Sequence, residues 1–288
     1  MKRYLDLVGH ILERGEKRAT RTGIDAVTVS GMLFEHEMAQ GFPLLTTKKV
    51  PFRLVATELE FFLRGITDKQ WLQERNNHIW DEWANPTRAP YGHDEASKKR
   101  MSEERDLGPV YGFQWRHFGA AYENFDTNYD GEGVDQLRRV VHKLKTDPND
   151  RRMIVSAWNP TAMGQMALPP CHYAFQVTVI SGRLNLLWNQ RSVDTMLGLP
   201  FNIASYGLLL HLLAKESELK EGRLIGFLAD THIYVNHVEG VSAQLAREPY
   251  PLPRARTEPL TSIFDWKAED TKLENYQSHP RIAFEIAV

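Results

Sequence analysis

The chain is poor in the features that most often announce a function. It has one cysteine in 288 residues, Cys171, so it can form neither an internal disulfide nor a cysteine-rich zinc site. It has no G-x-G-x-x-G, no Walker loop and no H-E-x-x-H, the usual signatures of a Rossmann dinucleotide site, a phosphate-loop NTPase and a zincin; no metal is expected. Neither sign of charge dominates: 35 Lys and Arg face 37 Asp and Glu, a formal net charge of -2. No overall basic field therefore points to DNA or RNA, and any anion site must be local. No long apolar run follows Met1, so neither a signal peptide nor a membrane span is expected, and the reading is a cytoplasmic protein with no membrane partner. Repeats, low-complexity runs and composition breaks are missing too, which favours one α+β domain over residues 1–288.

What is present is an ordinary globular composition, 42% apolar and 25% charged. Tyr4, Leu5, Val8, Ile11 and Leu12 recur at helical spacing ahead of the strand-like "AVTVSGMLFEHEM". Arg53 to Leu63 reads as a helix ended near Gly65. Residues 85–105, "NPTRAPYGHDEASKKRMSEER", are polar and without sustained apolar periodicity, and read as a surface insertion. A helix with Leu137, Val140, Val141 and Leu144 on one face stops before "DPND". "RRMIVSAWNP", residues 171–180 and residues 183–189 read as strands, the last two joined at "SG" as a hairpin. "FNIASYGLLLHLLAKE" is apolar nearly all round, as for a buried helix, and "RLIGFL" is a further strand.

Chemistry concentrates around the lone thiol. "PPCH" holds Cys171 at a rigid strand entrance, because two prolines fix the backbone and remove amide donors. The motif fits a small buried hydrophobe as well as a nucleophile whose pKa His172 helps to lower. Arg191 and Ser192 offer a guanidinium fork and a hydroxyl to a phosphate or carboxylate, or else form a solvated strand end. Asn202 is either a helix N-cap or an amide that reads a ligand edge. Arg21 and the adjacent Arg151 and Arg152 add positive charge; side chains alternate along a strand, so the pair cannot point at one place within one subunit, and one serves another ligand or chain unless the two are simply a charged strand start. Glu58 lies among Leu54, Val55, Phe61 and Phe62 at helical spacing, so its carboxylate falls within the apolar stripe and should either be hydrogen-bonded structurally or hold a proton for chemistry near neutral pH. Glu60 should pair with Arg64 on the outside of that helix. His232 and Tyr234 fall on one side of an extended "DTHIY".

Taken in order, "RTG", "FPLLTTKK", "IWDEWA", "LGPVYGFQWR", "RRMIVSAWNP", "ALPPCH", "NQRSVDTMLGLPFNIASYG" and "DTHIYVNH" closely resemble the folate-dependent, cysteine-nucleophile thymidylate synthases, from Met1 to Val288. The resemblance implies an α+β fold with a mixed sheet and flanking helices, and a homodimer packed through its sheets. It implies reductive methylation of dUMP to dTMP by 5,10-methylenetetrahydrofolate, with Cys171 attacking C6 of the pyrimidine. It makes Glu58, Tyr111, His172, Asn202 and Asp194 catalytic. Arg21, Gln190, Arg191, Ser192, Asp194, Asn202, His232 and Tyr234 would bind the nucleotide, with Arg151 and Arg152 supplied by the other subunit. Lys48, Ile79, Trp80, Trp83, Leu168, Asp194, Gly198, Phe201 and Ala287 would face the folate, and "IAV" would close over the ligands.

Several positions depart from the family pattern: Ala229 before Asp230, Asn189 before "QRS", Phe61 where tryptophan is frequent, Glu60 where an apolar residue is usual, and the polar Asn77 and His78 beside Ile79. Polarity near a folate wall admits water, which keeps open a dUMP hydroxymethylase of the same fold. Asn202 argues against cytosine-specific relatives, which carry an aspartate there. A non-catalytic nucleotide- or RNA-binding protein would use the arginines and need neither Cys171 nor Glu58.

Overall fold

The structure is a computed structural model that describes residues 1–285. In chain order the elements are α1 (Lys2–Arg14), β1 (Glu16–Arg18), β2 (Ala26–Glu37), α2 (Phe52–Leu63), α3 (Gln70–Gln73), α4 (Glu95–Glu103), α5 (Gly112–His117), α6 (Gln136–Thr146), β3 (Ile154–Ser156), β4 (His172–Ile180), β5 (Arg183–Asp194), α7 (Gly198–Glu216), β6 (Lys220–Tyr234), α8 (Val238–Leu245), β7 (Arg254–Thr257) and β8 (Thr271–Glu274). Six strands form one mixed sheet in the order β1-β2-β6-β5-β4-β3, and β7 pairs with β8 apart from it.

One pairing decides where the site can be. β5 and β6 run parallel while every other pair in the sheet is antiparallel. Parallel neighbours need a crossover of a dozen or more residues, and α7 is that crossover. It is buried from Leu199 to Ala214 along nearly its whole circumference, which explains its lack of a polar face. The C-terminal ends of β5 and β6 consequently lie side by side, with Ser192 opposite Asp230 and Asp194 opposite His232. Polar residues 38 positions apart in the chain thereby meet at one sheet end.

The β4–β5 hairpin turns at Ser181 and Gly182, whose φ angles of 52° and 69° are both positive, the conformation that matches the twist of two-residue hairpins. In α1 the buried stripe is Tyr4, Leu7, Val8 and Ile11; Leu5 and Leu12 flank it. "RRMIVSAWNP" is strand only from Ile154 to Ser156. Its first part is a turn in which Asp150 Oδ1 accepts from the Arg152 amide at 2.8 Å, and the Gln136 side chain takes both backbone groups of Ser156, at 2.9 and 2.8 Å. Arg151 and Arg152 thus precede the strand instead of alternating along it.

Residues 85–105 are more ordered than their polarity suggests. Asp94 caps α4 by accepting from the Ser97 amide at 3.0 Å, and Ala84, Ala89 and Met101 make a small core of their own. Lys69 donates to the carbonyls of Asp81, Trp83 and Met101, tying this segment to the loop that carries Trp80 and Trp83. Among the described residues, no helix is long and apolar enough to cross a membrane, and no group of three or more His, Cys, Asp or Glu is placed to hold a metal ion.

Candidate active site

Cys171 sits immediately before β4, and its prolines act through acceptors as well as through rigidity. Arg191, on the neighbouring β5, donates Nε to the Pro170 carbonyl at 3.0 Å and Nη2 to the Pro169 carbonyl at 2.8 Å. The Arg191 amide donates to the Cys171 carbonyl at 2.8 Å, and the Cys171 amide donates to the Tyr111 hydroxyl at 2.8 Å. A guanidinium fork held this way is no solvated strand end; it is preorganised beside the thiol. Burial pushes the Cys171 thiol above its ordinary range. The positive charges of Arg191 and Arg21 and a hydrogen bond with Tyr111 pull it back, while Asp194 opposes them.

His172 is not among those influences. Its side chain lies within the core, with Nδ1 2.9 Å from the Tyr206 hydroxyl, and burial alone lowers its pKa to about 3. An imidazole that stays neutral at physiological pH cannot supply the cation expected to activate Cys171. The His172 ring lies beneath Tyr111, ring centroids 4.4 Å apart, so any part it plays at the site is that of a neutral imidazole. Tyr111 itself is buried, stacked on Phe62 at 4.9 Å, and holds a backbone φ of 22° and ψ of -85°. That conformation is costly for a bulky residue and persists only where its surroundings over-determine it. Burial raises its phenol well above 10.

Glu58 lies in the apolar stripe of α2 as the spacing predicts, half-buried among the fully buried Val55, Leu59 and Phe62. The Trp80 indole donates to Glu58 Oε1 at 2.9 Å. Burial raises the carboxyl from 4.5 to about 7, and the Trp80 hydrogen bond only partly opposes that rise. Glu60 does pair with Arg64, at 2.8 Å, but inside the protein: it is only 5% exposed and also accepts from the Ala268 amide at 2.9 Å. Trp80 is buried edge-on against Phe62 and Tyr111 with its indole N–H committed to Glu58.

At the adjoining sheet end, Asn202 occupies the start of the second turn of α7, whose N-cap is Leu197, so it caps nothing. Gln190 Nε2 donates to Asn202 Oδ1 at 3.0 Å. Asp194 Oδ1 accepts from the Met196 and Leu197 amides, both at 3.0 Å, and so fixes the turn that leads into Gly198. Lys48 donates to the Met196 carbonyl in that same turn, with its ammonium 4.6 Å from the Phe284 ring. Burial lowers Lys48 to about 8, with Asp194 pulling it up and Arg281 pushing it down. His232 and Tyr234 share one side of β6 with ring centroids 5.1 Å apart, and His232 Nδ1 is 3.0 Å from Asp230 Oδ1. Ile79, Trp83, Leu168 and Phe201 are partly exposed apolar surface at the edge of the main core; Trp83 stacks on Tyr91 of the 85–105 segment at 6.1 Å.

The family model described as thymidylate synthase matches residues 2–288. This chain belongs to the thymidylate synthase family. It is 46% identical over 288 residues to the thymidylate synthase of Homo sapiens, an alignment covering 99% of this chain and 90% of the human protein. It is also 46% identical over 285 residues to the bifunctional dihydrofolate reductase-thymidylate synthase of Paramecium tetraurelia, covering 99% of this chain but only 61% of that protein's length. The family expected from the ordered motifs, and the α+β architecture with a mixed sheet and flanking helices, both stand, as does the assignment to a methyltransferase family.

Two groups of expected site residues are not gathered with the rest. Arg151 and Arg152 are both exposed, and among the described residues the Arg152 guanidinium reaches only Asp150, at 3.5 Å. Ala287 and the rest of "IAV" lie outside the described residues. Residue-by-residue reasoning from the sequence also missed how Tyr111 is used: a tyrosine in "VYG" carries no sign that its hydroxyl will accept from an amide 60 positions away.

Proposed function

We propose that this chain methylates dUMP to dTMP, with 5,10-methylenetetrahydrofolate as co-substrate and Cys171 as the nucleophile. The observation that carries the reading is the joining of Cys171 to Arg191, Tyr111 and the Pro169–Pro170 carbonyls through one hydrogen-bond network. It couples a nucleophile to a phosphate-binding fork across two adjacent strands.

Uracil is a poor carbon nucleophile at C5. Addition of the Cys171 sulfur at C6 pushes charge toward O4 and makes C5 reactive. Because burial keeps the resting thiol protonated, the thiol gives its proton to solvent water as the sulfur adds, and Arg191 and Arg21 stabilise the negative charge that develops on sulfur. Asn202 and a Glu58 near its titration point serve the O4 side, as donor and as proton store. Tyr111, whose hydroxyl accepts from the Cys171 amide, helps remove the C5 proton. His232 and Tyr234 suit a ribose hydroxyl. Arg21, Arg191 and Ser192 suit the phosphate, completed by Arg151 and Arg152 of a second copy.

Bound 5,10-methylenetetrahydrofolate would supply the one-carbon unit and its reducing equivalents, leaving dihydrofolate. The chain fits it with a partly exposed apolar rim (Ile79, Trp83, Leu168, Phe201), the turn at Gly198 set by Asp194, and the desolvated Lys48. The dimer is supported by apolar side chains left on the sheet: Leu33 is 54% exposed, Phe227 45% and Ile180 60%, and Leu33 and Phe227 are cross-strand partners. Leu33 and Phe227, side by side on adjacent strands, make an exposed apolar pair of the kind that marks an interaction surface.

Methylation is favoured over hydroxymethylation by the kinship with thymidylate synthases, and four of the departures from the family pattern are engaged away from the apolar rim. The Asn77 amide donates to the Leu54 carbonyl at 3.1 Å, His78 meets Asp81 at 2.9 Å on the surface, Glu60 holds Arg64, and Phe61 is fully buried. The test is to incubate the protein with dUMP and 5,10-methylenetetrahydrofolate, following dihydrofolate absorbance and product mass. dTMP that disappears in Cys171→Ser is expected. dTMP formation surviving that change would overturn the mechanism, and a product heavier by the mass of one oxygen would establish the hydroxymethyl reaction.

A further inference from the structure

Asn202 can read a base only if its amide is held one way round, and the chain contains a device for this one layer below it. Trp188, on β5, is completely buried. Its ring stacks on Tyr206 at 5.4 Å with an interplanar angle of 12° and leans on Phe34 at 5.8 Å. The partner strand makes room for it at Gly226, its register neighbour, where a Cβ would come within 2.4 Å of Trp188 Cζ2. Locked in that slot, the indole N–H donates to Gln190 Oε1 at 3.1 Å.

An indole N–H can only donate, so the Gln190 atom facing it must be oxygen. Its nitrogen must then face the other way, toward the Ser192 carbonyl at 3.1 Å and Asn202 at 3.0 Å. The Asn202 atom that receives it must in turn be oxygen, which leaves Nδ2 as the free end of the amide. Each link has one permitted direction, and the direction is set at Trp188.

We propose that Trp188 is a positioning residue for base selection: through Gln190 it fixes the Asn202 amide in the orientation that suits a uracil edge and disfavours cytosine. This rests on the reading of Asn202 as the base-recognising group. Removing the indole donor leaves Gln190 Oε1 buried without its partner, so Gln190 turns or shifts to find another and Asn202 loses its fixed sense. The effect falls on discrimination, not on the thiol chemistry.

The experiment compares wild type with Trp188→Phe, and with Trp188 replaced by 3-benzothienylalanine, which keeps the ring shape and lacks only the N–H. Dissociation constants for dUMP and dCMP are measured alongside Tm. The expected result is a preference for dUMP over dCMP that falls by about fivefold to tenfold, the worth of one buried hydrogen bond, in both variants, with Tm nearly unchanged in the isosteric one. A preference that stays at the wild-type ratio in the benzothienyl protein overturns the role of Trp188. Asn202→Ala separates the two readings: if wild type prefers dUMP and Asn202→Ala retains that preference, the base-reading role of Asn202 fails and the Trp188 proposal falls with it.

Discussion

Replacing Glu58 by glutamine should make the protein less active and, above neutral pH, more stable. The carboxyl is lifted from 4.5 to about 7, chiefly by burial. Between those two values the folded protein holds a proton that the unfolded chain has released, so stability falls as pH rises through that window. The deficit is absent below about pH 4.5 and complete above about pH 7. At about 1.4 kcal/mol per pH unit, the ceiling is about 3 kcal/mol. Glutamine keeps an oxygen for the Trp80 indole and has no charge to desolvate, so it escapes the deficit. Urea unfolding of both proteins from pH 4.5 to 8.5 should give curves that start together and separate by about 2 to 3 kcal/mol, the contributions of all other titrating groups cancelling between them. The same variant should lose roughly 10² to 10⁴ in kcat, the usual range for a general acid or base, together with any rate inflection near pH 7. Parallel stability curves would show that the native carboxyl is not perturbed, and the proton-storing role would go with it. A side chain that destabilises its own fold at working pH is best explained by its use in the site.

Three other outcomes follow from the same geometry. His172 is held neutral to about pH 3, so the unfolded chain takes up a proton below pH 6.5 that the native state refuses; His172→Gln should therefore unfold less readily in acid than wild type, and an unchanged acid limb in denaturation would contradict the buried neutral imidazole. Asn202→Asp should bind dCMP more tightly relative to dUMP, because a protonated acid donates where the cytosine ring accepts; calorimetric titration with both nucleotides checks it, and an unaltered ratio counts against edge reading. A protein carrying Arg151→Ala and Arg152→Ala and a separate Cys171→Ser protein should each be inactive, yet regain activity when their subunits are exchanged, since one mixed site then has both an intact thiol and intact partner arginines. No recovery, with exchange verified by native mass spectrometry, would place those arginines outside the active site.

The sequence discloses periodic elements readily and the contacts between them poorly. The all-apolar character of α7 and the "SG" hairpin were legible because each is a local rule: a buried helix needs no polar face, and a two-residue turn needs positive φ. Glu58 was legible for a related reason, as one carboxylate interrupting an apolar stripe. The 85–105 helix was not, because its stability comes from an Asp94 cap and from Lys69 gripping carbonyls across the chain, neither of which leaves an apolar period. His172 shows the limit more sharply. Adjacency to Cys171 suggests a cationic partner, but the His172 ring is enclosed with Tyr206 and Tyr111 and stays neutral there, which adjacency in the chain does not disclose. The thiol's useful partners come from elsewhere: Arg191 from the adjoining strand, Tyr111 from a strained turn 60 positions earlier, and Arg21 from the loop before β2. The chemistry of Cys171 is set by the sheet's register, and a residue's importance to it depends on which strand end it reaches, not on its distance along the chain.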